Sequence, residues 1–166
     1  GKTYKFLQFF QMPETFGFRF FNVALFGVIF FVSIRSVYAR IAALPYLVSS
    51  QIWYTFSYCS SDAFALFIAF LATWLLIDPK SLLHRYLKGG SLWFNFFAAM
   101  VLALFLGTVF ILKMNYYPFV GLLYLILGVR IFFTEEYFWE KKDAFKRLVI
   151  VTLLGLSLLG VRTGAE

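Results

Sequence analysis

The chain has very little of the residues on which most soluble chemistry is built. Among its 166 residues there is one cysteine, Cys59, and one histidine, His84. A single cysteine closes no intrachain disulfide, so a disulfide scaffold is excluded and no redox compartment can be read. Structural zinc needs more thiolate and imidazole ligands than the chain holds. A haem held by two axial histidines fails for the same reason, and a chlorophyll protein rich in histidine ligands fits no better. Charge is scarce as well, at 14% of residues, where soluble domains carry about 25%. No glycine-rich phosphate loop and no GxGxxG, GxSxG or HExxH motif occurs. That argues against an NTPase, a Rossmann dehydrogenase or a hydrolase. The reading is a non-enzyme with no cofactor and no metal.

What the chain does hold is apolar. Hydrophobic residues make 62% and aromatics 23%, 24 of them phenylalanine, with a mean hydropathy of +0.83. The fold class this implies is all-α: a polytopic membrane protein of five or six transmembrane helices plus short amphipathic surface helices. No linker composition interrupts it, so residues 1–166 read as one integral-membrane helical domain. The formal charge is +7. Its basic residues lie between apolar runs rather than on one dense arm, which points to anionic lipid headgroups and not to nucleic acid. The chain starts at Gly1, and a removed targeting presequence would fit that start.

A spanning helix needs about 20 mostly apolar residues, because each rises about 1.5 Å across about 30 Å of hydrocarbon. Gly1–Thr15 is a mixed lead in which Lys2, Lys5, Phe6, Phe9 and Phe10 suit either a short interfacial helix or a frayed terminus. Phe16–Ile34 reads as the first span, bounded by Arg35 and Arg40, with Asn22 as an interhelical hydrogen-bonding residue. Ile41–Ser61 carries Pro45 and many serines. It either spans or lies flat, with Trp53, Tyr54 and Tyr58 as interfacial aromatics. Ala63–Ile77 is strongly apolar but short. Asp78–Ser91 reads as an amphipathic surface helix capped by Asp78, with Pro79 in its first position and Gly89-Gly90 as its stop. Lys80, His84, Arg85 and Lys88 form its expected basic face. Leu92–Leu112 is the clearest span and ends at Lys113. Pro118–Thr134 follows as its antiparallel neighbour. Glu135–Arg147 is a charged amphipathic segment, headed by Glu135, Glu136 and Glu140, in which Asp143 and Arg147 are spaced to pair. Leu148–Val161 is a short apolar helix. Basic residues divide almost equally well under five spans or six. Both arrangements put Asp78–Ser91 and Glu135–Arg147 on one face.

Few residues suggest chemistry. Arg130 lies inside an apolar run, and an ionisable residue there is a functional hypothesis. Snorkelling to the interface or binding a lipid phosphate is the plainer reading; a transport role is the sharper one. Its surroundings do not match the long arginine-bearing helix pair of a proton-channel subunit. Asp62 either caps a helix or forms an intramembrane ion pair with Arg130. Lys80, Arg85 and Lys88, with Arg130, are the candidate lipid-headgroup residues, cardiolipin included. Ala99, Ala103 and Gly107 recur every four residues and offer a helix-packing face, internal or toward another chain.

Three function classes follow. The first is a noncatalytic structural or accessory subunit of a large membrane complex. A respiratory-chain or ATP synthase assembly of the mitochondrial inner membrane suits it best, with other membrane subunits and lipids as partners. The second is a small transporter or channel subunit using Arg130 and Asp62. The third is a membrane-shaping scaffold whose short helices sit in one leaflet.

Overall fold

The structure is a computed structural model, and it describes residues 14–58, 62–111, 117–133 and 141–163. Among these there are eight helices and no strand. They are α1 Glu14–Arg35, α2 Val37–Val48, α3 Ser50–Ser57, α4 Asp62–Ile77, α5 Leu82–Lys88, α6 Leu92–Ile111, α7 Tyr117–Phe133 and α8 Lys141–Thr163. The lead up to Pro13, Cys59, Lys113 and the acidic group Glu135, Glu136 and Glu140 lie outside the described residues. The chain forms two compact units, Gly1–Trp74 and Leu75–Glu166. The division falls inside α4, where no Gly, Pro or polar run marks it in the sequence.

Among the described residues, two helices are long and apolar enough to cross a membrane: Phe16–Arg35 with 20 residues and Leu92–Phe110 with 19. The bent pair α4–α5 makes a third if it acts as one span, while α2 and α7 are shorter apolar helices.

In the first unit, α2 and α3 pack on α1. Within α1, Ile29 is fully buried and so are Ala39 and Ala43 of α2. Small side chains on α2 allow the two helices to approach closely. The rest of α1 faces outward: only 17% of its apolar window is buried, and Phe20 is 65% exposed. Phe26 meets the rings of Trp53 and Phe56, at 6.5 and 5.1 Å between centroids. The ambiguous Ile41–Ser61 stretch is described as far as Tyr58, and that part falls in two short helices. The break is at Ser49, whose extended backbone ends α2 and whose hydroxyl accepts from the Ile52 amide to start α3. Pro45 stays inside α2. Asn22 Nδ2 donates to the Tyr58 carbonyl just past α3 at 2.7 Å, and Tyr46 Oη donates to the Leu66 carbonyl of α4 at 3.0 Å.

In the second unit, α6 packs most extensively on α8. Leu102, Leu127, Ile131, Leu148 and Val151 form the core with Leu83 and Leu87 of α5. The α6–α8 crossing is tight. A Cβ added to Gly155 would lie 3.1 Å from the Ala103 carbonyl oxygen and 3.2 Å from the Gly107 nitrogen. Phe110 stacks on Tyr124 of α7 at 6.3 Å, and Tyr124 Oη bonds Thr152 Oγ1 of α8 at 2.9 Å.

Two expected boundaries move. The apolar run Leu148–Val161 is not a separate helix. It continues without interruption from Lys141, giving α8 its 23 residues, because no Gly or Pro stands between Lys141 and Leu148 to stop it. The helix expected over Asp78–Ser91 starts only at Leu82, with Ser81 as its cap. Asp78 instead closes a turn by accepting from the Lys80 amide at 2.9 Å.

Candidate functional site

Several cations among the described residues bond carbonyls at the ends of helices. The last carbonyls of a helix have no partner within it and carry partial negative charge. In apolar surroundings each one left open costs several kcal/mol. Arg40 closes the end of α1, with Nε to the Ser33 carbonyl at 3.3 Å and Nη2 to that of Ile34 at 3.4 Å. Lys141 Nζ reaches the Phe132 carbonyl near the end of α7 at 2.8 Å. The two most developed examples lie in the second unit.

The first is the end of α4. The Leu76 carbonyl accepts from Arg130 Nη1 at 2.5 Å and from His84 Nε2 at 2.8 Å. A carbonyl only accepts, so Nε2 of His84 carries the proton. Ser81 Oγ donates to the neighbouring Leu75 carbonyl at 2.6 Å, while accepting from the His84 amide that opens α5. One serine thus ends one helix and starts the next. His84 is fully buried. This corrects its place on the basic face of α5: a start at Leu82 turns it inward, toward α4. Arg130 is half-buried and directed at a backbone oxygen of its own unit. Asp62 opens α4 in the first unit, in the N-terminal turn where a carboxylate suits the helix dipole.

The second is the corner between α5 and α6. Gly89 takes φ +88°, the left-handed turn that glycine adopts without strain, and its amide bonds the Tyr86 carbonyl at 3.1 Å. Arg147 of α8 closes the same helix end, with Nη1 to the carbonyls of Tyr86 and Leu87 at 3.2 and 3.1 Å. Its guanidinium lies so close to Gly89 that a Cβ there would collide with it. Asp143, expected to pair with Arg147, lies 3.7 Å from Lys146 instead, with both side chains well exposed. Such a pair adds little. Arg147, the last residue of the second amphipathic segment, thus bonds the end of the first. Tyr86 Oη in turn donates to the Arg147 carbonyl at 3.5 Å. Burial pushes the Tyr86 phenol above its usual range, partly offset by the positive charge of Arg147.

Arg85 and Lys88 are exposed on this corner, and Arg85 stacks on the Phe94 ring at 4.7 Å. They line a pocket of about 450 Å³ with Gly89, Gly90, Ser91 and Phe94. Lys80 is exposed in the preceding turn and does not line it. Of the packing stripe, Ala103 and Gly107 sit at the α6–α8 crossing and Ala99 packs against the core. Among the described residues no group of three or more His, Cys, Asp or Glu is arranged to hold a metal ion.

Sequence reasoning missed Ser81, Arg147 and Gly155. A basic residue near a helix end is a known cap signal, but Arg147 is remote in sequence from the helix it closes. The architecture is thus an all-α one, with helices of membrane type whose ends are closed by side chains. No family model, curated protein or solved structure matches the chain.

Proposed function

We propose that the chain is a noncatalytic structural subunit of a larger membrane assembly, crossing the bilayer five or six times and stabilising its neighbours by helix packing and lipid contact. The observation that carries this reading is how the polar and cationic groups are used. Arg40, Ser81, His84, Arg130, Lys141 and Arg147 all bond helix-end carbonyls. A transport path needs such groups strung toward a midplane site; here they hold helices in place. Outside, α1 and α6 present long rows of exposed Phe, Leu and Val, a surface suited to lipid tails or to other apolar helices. Its absence of own ligands suits an accessory role in an energy-transducing complex, and the mitochondrial inner membrane is the compartment proposed.

The test is extraction of native membranes in mild detergent, followed by native electrophoresis and identification of co-migrating proteins. The chain is expected in a band far larger than itself, together with respiratory-chain or ATP synthase subunits. Migration as a lone monomer would end the subunit reading. A large band without those subunits would move it to another membrane.

A further inference from the structure

We propose that Arg19 and Tyr58 form a binding site for the phosphate of a membrane phospholipid near the start of α1. The inference rests on the membrane reading above and adds to it a defined site. Arg19 lies over the Tyr58 ring, 5.5 Å from its centroid, and Tyr54 stacks on the same ring at 5.1 Å. The ring is also tied to α1 itself. Asn22, three residues beyond Arg19, donates to the Tyr58 carbonyl at 2.7 Å. The guanidinium therefore rests on a ring that two other side chains hold in place. Attraction to a ring face spends none of the N–H donors of an arginine on hydrogen bonds. Arg40, Arg130 and Arg147 give theirs to helix-end carbonyls. Among the described residues, Arg19 gives its own to no carbonyl or carboxylate, and the Tyr58 hydroxyl bonds no acceptor. Both side chains are exposed, so a ligand reaches them from outside. A planar guanidinium suits two phosphate oxygens at once. The phenol on the rim of the ring beneath it supplies a donor to a third.

The position argues for a lipid as the source of the phosphate. Arg19 is the fourth residue of the candidate span Phe16–Arg35, so its backbone lies about 5 Å inside the start of that span. Helical side chains lean toward the N-terminus, which carries this guanidinium back to headgroup depth. Tyrosines collect at the same depth. Around Arg19 on α1, Phe16, Phe20 and Val23 are all exposed. They stand three residues before it, one after and four after, on one side of the helix. A phospholipid held at Arg19 has its acyl chains beside these side chains. Free phosphate would use the same donors but would gain nothing from that face.

The experiment uses the full chain in detergent micelles, loaded separately with phosphatidylglycerol and with diacylglycerol, which lacks the phosphate. Retained lipid is counted by native mass spectrometry. Arg19→Gln is expected to lower phosphatidylglycerol retention about tenfold. Arg35→Gln removes the same charge from the other end of α1 and should stay within about twofold of the parent chain. Tyr58→Phe keeps the ring and every charge, and loss of the hydroxyl alone should lower retention about fivefold. Equal losses in Arg19→Gln and Arg35→Gln would mean diffuse attraction and overturn the site. Parent-level retention in Tyr58→Phe would overturn it too, as would equal retention of phosphatidylglycerol and diacylglycerol by the parent. Displacement of the lipid by millimolar inorganic phosphate would overturn the lipid as occupant. If Arg19→Gln loses its helical circular dichroism, Tyr58→Phe carries the test. Alkaline carbonate extraction of membranes checks the underlying reading separately. Release of the chain would refute membrane integration, whereas retention of the chain with parent-level lipid binding in both site variants refutes the site alone.

Discussion

In the first unit, helix ends are closed mainly by near neighbours in sequence. Arg40 reaches back seven residues to Ser33 and six to Ile34, and Ser36 and Ser49 cap helices three residues ahead. In the second unit, Ser81, His84 and Lys141 also act over six to nine residues, but two guanidiniums reach helix ends from far away. Arg130 is 54 residues from Leu76, and Arg147 is 61 and 60 residues from Tyr86 and Leu87. One pair of glycines shows the same contrast, although Gly121 and Gly128 of α7 are as open as Gly27. Gly27 of α1 has open space where a Cβ would go, while Gly155 of α8 touches the backbone of α6. The first unit is therefore encoded locally and presents its aromatics outward. In the second, the ends of α4 and α5 are completed only once Arg130 and Arg147 arrive from distant helices, so those parts should be lost together.

The sharpest way to break this comparison is a matched pair of glycine substitutions. Gly155→Leu drives a branched side chain into the Ala103 and Gly107 backbone, which is atoms that cannot turn aside. Overpacking of this kind costs about 3 kcal/mol. At Gly27 an added Cβ meets nothing within 4 Å, and Gly27→Leu adds a better helix former, so its effect should stay within about 1 kcal/mol of zero. Thermal denaturation in detergent, followed by circular dichroism, reads both. Equal midpoints for the two variants would erase the contrast between the units.

The next effect comes from the long-range cap. Arg130→Met keeps much of the apolar stem but removes the charged donor to Leu76. Hydrogen bonds to charged groups contribute about 1.5–3 kcal/mol. With His84 still on the same oxygen, a loss near 2 kcal/mol is expected. Arg40→Met removes longer bonds, one of them exposed, and should cost under about 1 kcal/mol. Arg130→Lys should recover part of the loss, since an ammonium donates but reaches less far. Chemical denaturation of the variants side by side checks the order; a costlier Arg40→Met would reverse the reading.

How much of this is visible in the sequence depends on whether a feature is local. Helices α1 and α6 are legible because long apolar runs end in charge or polarity at Arg35, Ser91 and Lys113. Gly89 is legible as a stop because a paired glycine after a helical pattern marks the left-handed turn. The break within Ile41–Ser61 is less legible: Pro45 removes one backbone donor but stays inside α2, whereas Ser49 ends it and caps its successor. His84 is the residue that misleads. Spacing alone groups it with Lys80, Arg85 and Lys88, but once Ser81 fixes the start, His84 turns to the end of α4. At the α5–α6 corner Arg85 and Lys88 are readable from their own helix. Arg147 is not, because its role exists only where α8 meets α5.

The smallest effect tests the exception in the first unit. Asn22 lies 36 residues from Tyr58, whose carbonyl it bonds at 2.7 Å. By separation alone this resembles the long-range caps of the second unit, so a large loss on Asn22→Leu would make the units alike. Its surroundings argue otherwise. Tyr58 is half exposed, stacks on Tyr54 at 5.1 Å and lies under Arg19 at 5.5 Å, a setting of interfacial character. A carbonyl freed there can be rehydrated, unlike one inside a core. Neutral side-chain hydrogen bonds in membrane proteins contribute about 0.6 kcal/mol on average, and Asn22→Leu is expected to cost about that. Amide hydrogen exchange refines the test. Protection should fall in α3 and around Asn22 while the rest of α1 keeps its own. Loss spreading through α1, α2 and α3 together would show that the first unit, like the second, is held by its distant contacts.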